Sequence, residues 1–192
     1  MNYQDYIWDL GGTLLDNYET STAAFVHTLQ DFGLIASHDE VYKALKVSTD
    51  YAVRQFAPGN KEFLKSYKAN EAKELEHPIL FEGASELLAQ IIQQGGRNFL
   101  ISHRDDQVLE ILQKTQISVY FTEVVTATNG FKRKPDPESM LYLKDKYQIE
   151  SGLVIGDRPI DIEAGQAAGF SCYLFDNMRN LEEFVDIELE KE

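Results

Sequence analysis

Asp9, Ser102, Lys134, Asp157 and Asp161 are the side chains of this sequence whose types and positions could do chemistry together. Asp9 closes an aromatic and aliphatic run that begins at Tyr3 and leads into Gly11-Gly12. Ser102 ends the run that begins at Asn98, and Asp157 directly follows Leu153–Gly156, with Asp161 four residues on. Lys134 sits beside Arg133 in a stretch whose backbone Pro135 and Pro137 restrict. If the apolar runs are parallel strands, ligands bind outside their carboxyl ends, and these side chains converge on that rim. Paired carboxylates with open water positions suit Mg2+, commonly with a substrate phosphate completing the shell. A carboxylate can also attack phosphorus as a covalent nucleophile. A hydroxyl and an ammonium then stabilise charge on the transferring group. The set points to phosphoryl transfer, where positioning and electrostatics supply most of the catalysis. Each residue also has a plainer use: Asp9 in a turn, Ser102 as a helix N-cap, Lys134 as surface charge, Asp157 and Asp161 as caps of a helix over 160–168.

The elements that must position these groups follow from hydrophobic period. Tyr3–Leu10 reads as a buried strand running into a sharp Gly-Gly turn. From about Tyr18 to His77 the pattern is helical throughout, broken at Gly33 and at Pro58-Gly59. Beyond Pro78 the chain alternates. Helix 83–94, strand 98–102, helix 106–114, a strand near 123–128, helix 137–147, strand 153–156, helix 160–168 and strand 170–175 follow in turn. That alternation predicts an α/β fold: a Rossmann-like parallel sheet with helices on both faces. The helical stretch is too long for a plain connection, so it predicts an inserted all-helical domain over 17–78, with the core made of 1–16 and 79–192.

With those positions in hand, the sequence resembles the haloacid dehalogenase superfamily. Asp9-Leu10-Gly11-Gly12-Thr13-Leu14-Leu15-Asp16 is similar to its first motif and Phe99-Leu100-Ile101-Ser102 to its second. Lys134 in Arg-Lys-Pro-Asp-Pro is similar to its third, and Gly156-Asp157-Arg158-Pro159-Ile160-Asp161 to its fourth. The helical insertion resembles the cap of the phosphoglycolate phosphatase and β-phosphoglucomutase branch. The resemblance implies that Asp9 forms an aspartyl-phosphate, that Ser102 binds a phosphoryl oxygen and that Lys134 neutralises both. It places Mg2+ between the Asp9 carboxylate, the Gly11 carbonyl oxygen and Asp157, with Asp161 in support. It also implies a small phosphorylated substrate, and a cap that opens to admit it and closes to exclude water.

Gly11 departs from that pattern. Family phosphatases carry a second Asp there, which protonates the leaving alcohol and then activates water. Glycine can still offer its carbonyl to the metal, but the general acid/base, typically worth ~10²–10⁴-fold, is absent. Three expectations stay open: a hydrolase that is slow or favours activated leaving groups, an impaired domain that binds a phospho-ligand or a protein partner, and altered chemistry such as phosphonate cleavage. The last would need a Schiff-base lysine from the insertion, where Lys43, Lys46, Lys61, Lys65, Lys68 and Lys73 are available.

Composition excludes other classes. A net charge of −14 argues against nucleic acid or anionic membrane as a partner. No apolar run approaches a bilayer's thickness, and the N-terminus lacks the features of a signal peptide. Cys172 is the only cysteine, so a reducing, cytoplasmic setting is expected. His27, His38, His77 and His103 lack metal-ligand spacing, although His103 and Arg104 adjoin Ser102. The aromatics of the insertion, Tyr51 among them, read as core, and Asp16 as a structural residue at the junction. The acids from Glu182 to Glu192 read as a solvated helix face or frayed end.

Overall fold

Buried on both sides, β1 (Asp5–Trp8) is the central strand of a five-stranded parallel sheet. The computed structural model describes residues 3–74 and 76–189. The sheet order is β3-β2-β1-β4-β5, with β2 at Arg97–Ile101, β3 at Phe121–Val125, β4 at Gly152–Gly156 and β5 at Ser171–Leu174. Register pairs Trp8 with Leu100 on one side and with Ile155 on the other, so Asp9 emerges level with the ends of β2 and β4.

Alternation along the strands divides the core into two layers. Tyr6, Trp8, Leu100 and Ile155 pack against α5 (Ala84–Gln93), α6 (Gln107–Lys114) and α9 (Met178–Leu189). Ile7, Phe99, Ile101 and Val154 face α7 (Glu138–Tyr147) and α8 (Pro159–Ala167). Strands covered on both faces read as continuous apolar runs, which is why β1 and β4 lack polar alternation. The fully buried Asn98 cross-ties one layer. Its Oδ1 accepts from Trp8 Nε1 at 2.9 Å, and its Nδ2 donates to Leu88 O and Tyr120 O.

The chain divides into two compact units, Met1–Leu15 with Leu80–Glu192, and Asp16–Ile79. The second is all-helical: α1 (Asn17–Asp31), α2 (His38–Val47), α3 (Thr49–Phe56) and α4 (Lys61–Glu74). Its core forms around Phe25, whose ring meets Phe63 and Tyr67 at 4.9 and 5.0 Å. Ser37 and Glu40 close a capping box on α2, and Asp16 caps α1 by accepting from Glu19 N.

Several local expectations are corrected. The strand expected to run to Thr128 stops at Val125. There Thr126 Oγ accepts from Thr128 N, Asn129 Oδ1 accepts from Thr126 N, and a 3-10 turn begins. Tyr51 is 42% exposed and so does not belong to the core of its unit. Ser102 does not cap α6; its Oγ accepts from Arg104 N, within its own turn. The C-terminal acids fall partly on α9, while Glu190 and Glu192 lie outside the described residues.

Trp8→Phe is expected to cost about 1–3 kcal/mol, because it leaves the buried Asn98 Oδ1 without a donor. Urea unfolding should show a lower midpoint at unchanged slope. An unmoved midpoint would mean that this cross-tie contributes nothing.

Candidate active site

Asp9, at the end of β1, is fixed by its N–H, which donates to Ile155 O at 2.9 Å. Beyond it the chain folds into a tight turn: the N–H groups of Leu14 and Leu15 return to Leu10 O, and Gly12 N donates to Leu15 O. Gly11 is half-buried in that turn. Gly12 has φ +86°, and a Cβ there would collide with the Asp157 carboxylate. Gly156 is constrained in the same way, since a Cβ would overlap the Asp161 side chain. These two glycines let backbone and carboxylates approach more closely than any larger residue permits.

Lys134 spans the site. Its Nζ lies 2.5 Å from Asp9 Oδ1, 2.5 Å from Asp161 Oδ1 and 3.4 Å from Ile101 O. The Lys134 and Asp161 side chains are 2% and 1% exposed, against 15% for Asp9. A lysine so buried is tolerated only when paired, and here two carboxylates share it. The Asp161 contact is an ion pair that lacks hydrogen-bond alignment at Oδ1. Its other oxygen, Oδ2, accepts from Arg158 N at 3.1 Å at the start of α8, where the helix dipole favours negative charge.

Asp157 completes the cluster. Asp9, Asp157 and Asp161 each offer a carboxylate oxygen within 4.8 Å of the others, and Asp157 Oδ1 is buried with no hydrogen-bond partner among the described residues. Burial, then the neighbouring Asp9 and Asp161 charges, push the Asp157 carboxyl up to about 6. Burial also raises Asp9, with Lys134 the largest opposing influence. Three ionised carboxylates against one ammonium leave two negative charges, which a divalent cation would balance. The orphaned Asp157 oxygen and the all-oxygen donor set suit Mg2+ on both counts.

The structure therefore sets Lys134 against Asp9 and Asp161, with a carboxylate oxygen of Asp157 within 4.8 Å of both acids. Ser102 stands at the neighbouring strand end: its N–H donates to Val125 O, and its hydroxyl engages its own turn. Two nearby groups have contacts that the sequence did not indicate. Arg158 is exposed and lowers both the Asp9 and the Asp157 carboxyl. His103 contacts the Lys134 segment directly, with Nε2 2.9 Å from Lys134 N and Nδ1 3.0 Å from Arg133 Nε. Adjacency to Ser102 was the only signal of it in the sequence.

Residues 6–175 match the family model described as haloacid dehalogenase-like hydrolase. A solved hydrolase from Streptococcus pneumoniae is 69% identical, with a TM-score of 0.93 over 97% of this chain and 100% of that one. A phosphoglycolate phosphatase from Aliivibrio fischeri is 28% identical over 88% of this chain and 81% of its own. A pyrophosphatase, PpaX, from Oceanobacillus iheyensis is 26% identical over 88% of this chain and 81% of its own.

Because the folded Asp157 carboxyl lies above its ordinary value, its ionisation opposes folding. That cost is absent below the ordinary carboxylate range, grows up to about 6 and is full above it. In EDTA at about pH 8, Asp157→Asn should therefore raise Tm by roughly 2–4 °C, the response to about 1 kcal/mol in a chain of this size. Partial solvation of the carboxyl keeps the effect this small. The gain should vanish near about pH 4. A lower Tm at the higher pH would contradict the crowding.

Proposed function

The chain belongs to the haloacid dehalogenase-like hydrolase family, and from that premise we propose a Mg2+-dependent hydrolase of a small phosphorylated metabolite, working through an aspartyl-phosphate on Asp9. The observation that carries this reading is the Asp9 carboxylate, held against the Lys134 ammonium at 2.5 Å and flanked by Asp157 and Asp161. A binding site alone would not need a carboxylate poised in this way. The phosphatase and pyrophosphatase relatives support the same reaction class.

In this reading Asp9, the Gly11 carbonyl oxygen and Asp157 would hold Mg2+, with Asp161 alongside. The metal, when bound, offsets charge on the phosphoryl oxygens and lets the anionic nucleophile and substrate meet. Asp9 Oδ1 is occupied by Lys134, so Oδ2 attacks phosphorus and the bond to the leaving oxygen breaks. Lys134 neutralises the carboxylate and then the phosphoryl group, and the Ser102 hydroxyl donates to a phosphoryl oxygen. Asp161 keeps the ammonium in place. The Asp16–Ile79 unit serves as the cap. A cytoplasmic setting accords with the lone Cys172, and among the described residues no helix is long and apolar enough to cross a membrane.

Gly11 shapes the substrate range. With no carboxyl at this position, the leaving oxygen departs without a proton from the first loop. Leaving groups that are stable as anions, such as phenolates or phosphate, are therefore favoured over alkoxides. The same glycine favours a second reading, in which the domain binds a phosphorylated ligand without turnover.

Wild type is expected to release phosphate from p-nitrophenyl phosphate with Mg2+ and not with EDTA, and Asp9→Asn to be inactive. Gly11→Asp should speed hydrolysis of alkyl phosphates by about 10²–10⁴-fold while changing the aryl ester far less. Equal wild-type rates on alkyl and aryl esters would point to an acid elsewhere. Activity only in Gly11→Asp would favour the binding domain.

A further inference from the structure

His103 occupies a place that none of the assigned roles explains. It follows Ser102 at the end of β2, and Lys134, 31 residues away, donates its backbone N–H to the ring Nε2 at 2.9 Å. Arg133 Nε approaches Nδ1 of the same ring at 3.0 Å. A neutral imidazole has one accepting nitrogen, so only one of these donors is satisfied at a time. The Lys134 N–H belongs to a buried residue and cannot turn away, whereas Arg133 is exposed and can rotate into water. An unpaired N–H there would carry the full desolvation penalty, which selects Nε2 as the acceptor and Nδ1 as the protonated nitrogen.

We propose that His103 is the positioning residue of Lys134: its Nε2 anchors the backbone from which the ammonium reaches Asp9 and Asp161. The catalytic consequence rests on the hydrolase reading; the tether itself does not. Without this bond, the Lys134 backbone in the 131–137 segment loses the acceptor that ties it to the end of β2. The ammonium, held at 2.5 Å from each of two carboxylates, tolerates little drift of that backbone. The surroundings keep the ring in its accepting form. Burial, then Lys134 and Arg133, lower its proton affinity to about 4, Arg158 adds to this, and Asp161 opposes it. Doubly protonated, the ring would present a donor to the Lys134 N–H, so the tether requires a neutral histidine.

Long-range proton–nitrogen correlation on protein with ring-labelled histidine tests the tether. His103 should appear as the Nδ1–H tautomer and stay untitrated between about pH 5 and 8. A proton on Nε2, or titration near the ordinary histidine value, would overturn it. Side-chain reach gives the second arm. The amide oxygen of His103→Gln falls where Nε2 lies, that of His103→Asn where Nδ1 lies. Gln should keep kcat on p-nitrophenyl phosphate near wild type. Asn and Phe should lower it by about 10²-fold, the order expected for a 1 Å misplacement, with KM little changed. Equal behaviour of Gln and Asn would refute the assignment. A chain with the expected tautomer but no turnover would count against the hydrolase reading while leaving the tether standing.

Discussion

An ammonium sealed from water between two carboxylates has few geometries open to it, and the rest of the core unit is arranged around that constraint. Lys134, Asp9 and Asp161 come from the loop before α7, the end of β1 and the first turn of α8. Their meeting requires β1 and β4 to be neighbours in the sheet, which they are, and the loop after β3 to reach back over β2. Removing the Lys134 ammonium would leave two buried carboxylates facing each other uncompensated, a loss of several kcal/mol in comparable settings. Gly12 and Gly156 serve the same requirement, since a side chain at either position would force the carboxylates apart.

The cluster is over-supplied with negative charge when its carboxylates ionise, and that excess is what makes it a candidate for catalysis. Desolvation and neighbouring carboxylates raise both Asp9 and Asp157, an electrostatic cost that a divalent cation would relieve. A chain of net charge −14 thus approaches a phosphate ester through local compensation rather than overall attraction. Gly11 removes one further carboxyl from the crowded corner. In the proposed reading it lowers the repulsion at the expense of proton transfer, and the substrate's own leaving group would carry more of the reaction.

Much of this was legible in the sequence because burial on two faces writes itself as uninterrupted apolar runs, and strand ends are where such runs stop. Asp9 and Asp157 could be placed on one rim from that alone, and the parallel sheet from the alternation that follows Pro78. What escaped depends on partners that periodicity does not encode. β3 ends early where the Thr126 hydroxyl accepts from Thr128 N, a local competition that looks like strand propensity in sequence. Tyr51 has the spacing of a core aromatic but lies on the outward side of a short helix. His103 finds its partner 31 residues away, across a loop whose path no pattern in the intervening residues reveals.

The most direct test of the account is the chemical state of Asp9 during turnover, read by acid quench and mass spectrometry of the peptide that contains it. With Mg2+ and p-nitrophenyl phosphate, Asp9 should carry the mass of one phosphoryl group. The adduct should be present in wild type during turnover and absent from Asp9→Asn. Phosphate release with Asp9 unmodified throughout, or an adduct on another residue, would contradict the central claim.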